Sequence, residues 1–277
     1  MRKKTLLVLG LAAFAFFACE NIFEDTIANT TSSAAHEEAL ELNLSARNYD
    51  AVIRELGFDT DPAAAPPTTA QFGALTTRKK YLLQMALLGK TGFSAVDALD
   101  SFMKDDSSDH TSDILLQTFP AGEKATNDVL DSKQKLYGWV KQIKDADPTD
   151  DKNIDTAAGI SATLNTLMSV MRVANELAGT DVSFNKDDPD YIGNKFSGKT
   201  EPEIETAITT IFGSDLSAIQ EDIELLNTTM NSLVPAGDTE ISKKFDEFIV
   251  EFKIPGTNKI KPITSAELAK FIHDQWN

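Results

Sequence analysis

A chain of 277 residues, 42% hydrophobic and 25% charged, can bury a sizeable core in one large helical domain or two small ones. Its net charge of −17 becomes −20 if Arg2, Lys3 and Lys4 leave with the N-terminal segment that holds them. Such an acidic surface argues against nucleic-acid binding, and against docking on anionic lipid through a basic face, because both need Lys and Arg to neutralise phosphate.

The chain opens with "MRKKTLLVLGLAAFAFFACEN", a basic start followed by an unbroken apolar run from Leu6 to Ala18 and then the only cysteine, Cys19. The run is short for a membrane span and has the form of a secretory signal. A lone cysteine in an exported chain has no partner for an internal disulfide, so folding does not explain it. Residues Phe16-Phe17-Ala18-Cys19 resemble the lipobox of bacterial lipoproteins. The resemblance implies cleavage before Cys19, diacylation of its sulfur and acylation of the new amino group. An ordinary cleaved signal peptide and an uncleaved anchor with an incidental cysteine are the competing readings. The expected organisation is a signal peptide over 1–18, a polar tether over 19–34 and a helical domain over 35–277.

Helical periodicity sets in near residue 35. Ala39, Leu42 and Ala46 fall on one predicted face, and Val52, Ile53 and Leu56 continue on a second helix after a turn near Asn48. The stretch 44–62, "LSARNYDAVIRELGFDTDP", resembles the centre of a tetratricopeptide repeat. That family stacks helix pairs into a groove for peptides or partner proteins, so the resemblance implies an interaction module. Three prolines in "DTDPAAAPPTTAQFG" then predict a loop.

Residues 78–103 read as two helices parted by Gly89–Gly92, the first apolar on nearly every face and so expected at the centre. Shorter and longer helices are expected over 112–119 and 123–143, and another over 156–178. Residues 203–233 give the clearest pattern: Leu216, Ile219, Ile223, Leu226, Met230 and Leu233 recur in steps of three and four. Asp222, Glu224, Asn227 and Asn231 lie between them and are expected to face polar surroundings. Phe245, Phe248, Ile249 and Phe252 predict a further helical stripe. "KIPGTNKIKP" reads as a turn or small hairpin, and Thr264 with Glu267 has capping-box spacing before a last helix. The predicted fold is all-α, an irregular bundle or repeat-like array of about nine to eleven helices.

Residues 193–200, "GNKFSGKT", match the spacing of a phosphate-binding loop, which requires a buried strand before it. The preceding "DVSFNKDDPDYI" has no such strand, and a helix start is the better reading: Thr200 as cap, Pro202 in the first turn, Glu203 completing a capping box. The acidic runs 145–155 and 185–194 lack the order of a calcium loop. His36, His110 and His273 are far apart in the chain, and no catalytic motif occurs. The expectation is therefore a non-enzymatic protein without cofactor, metal or nucleotide, whose one modified residue is Cys19. Its expected place is outside the cytoplasmic membrane, anchored by lipid to a bacterial membrane, the outer one favoured. Bacterial lipoproteins with irregular helical domains are similar, and several act as accessory or assembly proteins. The expected role is thus a scaffold with a protein partner, the alternative a helical solute receptor of an uptake system.

Overall fold

The computed structural model describes residues 32–93, 119, 123–149, 151–183, 185, 187–233 and 249–276. Ten α-helices form among the described residues, within the predicted range: α1 (Ser32–Ser45), α2 (Tyr49–Glu55), α3 (Thr69–Gly73), α4 (Thr77–Lys90), α5 (Asn127–Asp145), α6 (Lys152–Ala178), α7 (Ile192–Phe196), α8 (Glu201–Phe212), α9 (Ser217–Leu233) and α10 (Ser265–Trp276). No strand forms among them. Isolated bridges join Ser183 to Tyr191 and Lys253 to Ile260, and the second closes the predicted hairpin, whose tip turns at Gly256 with φ of +75°. The predicted helices over 93–103 and 112–119 lie almost wholly outside the described residues, as do Phe245 and Phe248; Ile249 and Phe252 are buried.

Side chains start these helices where free backbone N–H groups need acceptors. Thr68, Thr76 and Thr126 cap α3, α4 and α5. The Asp151 carboxylate accepts from the N–H groups of Asn153 and Ile154 at the head of α6. Glycine ends α6, because Gly179 takes the left-handed conformation (φ +63°) that lets the chain turn away.

The centre of the fold is α6, against which α4, α5, α7, α8 and α9 all pack. Nineteen of its 27 residues are buried, among them Thr156, Ser161, Thr163, Thr166 and Ser169. These hydroxyls tolerate burial because most bond within the helix. Thr156 donates to the carbonyl of Lys152, Thr163 to Gly159 and Thr166 to Ala162. Ser161 instead donates to the Tyr137 carbonyl of α5 at 2.9 Å. The predicted central helix, α4, is also buried along most of its length but covers α6 from one side.

Four expectations need correction. The predicted loop over 59–73 ends in the short helix α3, which the Thr68–Gln71 capping box starts. On α1 the fully buried residue is Leu40, while Leu42 is 67% exposed, so the core-facing side is rotated from the predicted one. The pattern over 203–233 is two helices, broken after Phe212 by Gly213 at φ of +63°. Along α9, Leu216, Ile219, Ile223 and Leu226 are buried as predicted, against α6. Asp222 and Asn227 are buried with them, so this face is wider than a two-per-heptad stripe. Met230, Asn231 and Leu233 lie outside the residues whose side chains are described.

Candidate functional site

The predicted motifs resolve into local structure. Within GNKFSGKT, residues 193–196 belong to the short helix α7, and no strand leads into them. Glu203 accepts from both the backbone N–H (2.9 Å) and the hydroxyl (2.8 Å) of Thr200, with Pro202 in the first turn of α8. Thr264 and Glu267 form the other predicted box reciprocally, Thr264 N–H to the carboxylate at 3.1 Å and Glu267 N–H to the hydroxyl at 3.2 Å. Cys19 and His110 lie outside the described residues.

The acidic runs hold helices and loops in place. Asp147 accepts from Lys80 of α4 at 3.1 Å, and both side chains are nearly inaccessible, at 2% and 4%. Desolvation pushes the Asp147 carboxyl up, but bonds from Thr149 and Lys80, the lysine charge and the Asp151 N–H outweigh it and hold it below the usual range. Asp155 pairs with Lys144, and Asp190 with both Lys124 and Lys195. At the surface, Glu201, His273 and Asp274 bring three potential metal-ligand atoms within 4.8 Å of one another. One Asp274 oxygen there accepts from Lys270 at 2.5 Å.

Among the described residues, two recesses flank α5. The larger, about 350 Å³, is bordered by Lys90, Thr91, Glu123, Asp128, Ser132 and Lys133. Its lysines are engaged: Lys133 donates to the Thr91 carbonyl at 2.7 Å and lies 4.7 Å from the Phe119 ring centre, while Lys90 pairs with Asp50. Burial lowers the Lys133 ammonium below the ordinary lysine range, with Glu123 opposing.

The smaller recess, about 180 Å³, is a cleft between α5, α6 and α9. At its side, Asn165 of α6 donates its amide N–H to the Asp222 carboxylate at 2.6 Å. Asp222 is 5% exposed, and burial pushes its carboxyl up to about 7, against the pull of the Asn165 bond and the Lys141 charge. The carbonyl oxygen of Asn165 is buried with no hydrogen-bond partner. Lys141 of α5 and Glu221 of α9 pair across the same cleft. Gly138, on α5, borders it, and a methyl group added there would touch nothing within 4 Å.

None of these cleft residues was singled out by motif. The signal available was positional, because Asp222 follows Ile219 by three residues and precedes Leu226 by four, which puts a carboxylate on the apolar face. Comparison with known protein families, with characterised proteins and with solved structures gives no match for the chain.

Proposed function

We propose that the chain is a lipid-anchored extracytoplasmic protein, held to a bacterial membrane through Cys19, whose helical domain serves as a scaffold or accessory subunit for a protein partner. The observation that carries this reading is the position of the only cysteine. Cys19 closes an unbroken apolar run and is followed by the polar "ENIFEDTIANTT" before α1 begins at Ser32. One acyl chain gives marginal membrane binding, whereas two or three together anchor stably. Among the described residues no helix is long and apolar enough to cross a membrane.

Mass spectrometry of the mature protein tests the anchor. The expected product starts at Cys19 and carries the mass of two or three acyl chains, and Cys19→Ala abolishes both cleavage and added mass. An unmodified Cys19 peptide as the main species would overturn the assignment. Cross-linking in intact cells tests the scaffold role: one partner in fixed stoichiometry supports it, and loss of that partner in Cys19→Ala ties it to anchoring. A second reading, a receptor for a small solute, is favoured by the polar cleft between α5, α6 and α9.

A further inference from the structure

We propose that the cleft between α5, α6 and α9 binds a small primary ammonium ion with a short aliphatic chain, its N–H groups donated to Asp222 and its chain laid against Ala162, Ala218 and Leu225. The inference deepens the receptor reading by naming a ligand class, and it does not depend on lipidation.

The balance of donors and acceptors carries it. The donors bordering the cleft are largely engaged: Asn165 gives one N–H to Asp222, Ser161 gives its only proton to the Tyr137 carbonyl, Lys141 is paired with Glu221, and the buried Tyr137 hydroxyl is directed to Thr91. The acceptor capacity bordering the cleft lies in the Asp222 carboxylate and the Ser161 oxygen, with the partnerless Asn165 carbonyl closed to solvent beside them. A cleft whose acceptors include a buried carboxylate without a direct ion-pair partner favours a ligand rich in donors, and an ammonium offers three N–H groups and the missing positive charge. Hydroxylic or anionic ligands would add acceptors where there is already an excess.

Size and shape narrow the class further. A space of about 180 Å³ is below the range of drug-sized pockets, so the chain on the ammonium is short. Gly138 keeps the space open, since it lies inside a helix where alanine would be favoured and a methyl group there meets no neighbour. The Lys141–Glu221 pair bridges α5 and α9 beside the cleft, and Glu221 is 60% exposed, so this bridge can open without disturbing the core. Only the ionised carboxylate holds the ligand. Affinity therefore increases as pH rises through about 7, and binding below that pH releases a proton from Asp222. Lys141 and Glu221 are the charged neighbours that modulate this step, in opposite directions.

The test uses the mature protein in detergent, with propylammonium chloride as probe, followed by calorimetry and by thermal unfolding. The expected result is saturable binding that raises the unfolding midpoint, with no response to tetramethylammonium, which has no N–H, or to potassium at equal ionic strength. Asp222→Asn keeps a partner for Asn165 and should fold, yet weaken binding by about ten-fold or more through loss of a charged acceptor. Gly138→Ala gains helix propensity and narrows the cleft, so it should bind more weakly while unfolding at a higher temperature. Absence of binding to the unaltered protein overturns the proposal, as does binding that survives Asp222→Asn or an equal response to tetramethylammonium or potassium. Unchanged affinity in Gly138→Ala places the ligand elsewhere and overturns it too. None of these outcomes bears on the lipid anchor, which mass spectrometry decides separately.

Discussion

Asp222 occupies a position on α9 where a core-facing helix ordinarily carries an aliphatic residue, and burial has lifted its carboxyl to about 7. In the unfolded chain it would titrate near the ordinary aspartate value, so between about pH 4 and 7 the folded state holds a proton that the unfolded state releases. Its contribution to stability is therefore intact below the unfolded value and is lost as pH rises through about 7. Asp222→Asn keeps a neutral amide in place of the protonated acid and removes this loss. The variant should exceed the unaltered protein in stability by on the order of 2–4 kcal/mol at pH 8 and by little at pH 4. Urea unfolding at the two pH values measures the difference, and equal gains at both would show that burial of the charge is not the cause.

At the level of helices, the seam between α9 and α6 is the most extensive contact in the fold, and Ile223, 1% exposed, lies within it. Ile223→Ala should destabilise by about 2–5 kcal/mol, through lost transfer free energy and the cavity left behind. The midpoint of urea unfolding should fall by the same amount at any protein concentration, because α6 belongs to the same chain. This seam was legible because its aliphatic residues recur at helical spacing. The breadth of α6 was not. Its other faces carry Thr156, Ser161, Thr163, Thr166 and Ser169, which periodicity scores as polar, and only their bonds to carbonyls, one turn back or for Ser161 on α5, make them compatible with burial. The same blindness rotated α1, where alanines and leucines are dense enough to suggest several faces. It also hid the cleft, whose Asn165 and Asp222 look like surface residues until each is seen to answer the other.

Over the whole molecule, a few buried polar links fix how the helices sit against one another. Gln84 of α4 donates to the Val140 carbonyl of α5 at 3.0 Å and to the Ile154 carbonyl of α6 at 3.3 Å. Lys80, one turn earlier, meets both Asp147 and the Ala146 carbonyl in the α5–α6 turn. Lys80→Met should destabilise by about 1–3 kcal/mol at neutral pH, because it removes a charged donor from the Asp147 carboxylate and leaves it the bonds from Thr149 and the Asp151 N–H. Calorimetry should show this defect shrinking as acid protonates Asp147, and adding Asp147→Asn should recover part of it at neutral pH. A defect equal at all pH values would assign the loss to packing of the lysine stem instead.

The helices so linked exclude α1, which rests mainly on α2 and α4 through Leu40 and the pairing of Glu41 with Arg78. Among the described helices, a pull from the N-terminal side reaches this one first. Its 14 residues rise about 1.5 Å each when helical and about 3.3 Å when extended, so peeling α1 away lengthens the leader by roughly 25 Å. On the proposed attachment through Cys19, α1 would thus act as a reserve of slack, letting the body of the protein move outward under load while α4, α5 and α6 stay folded.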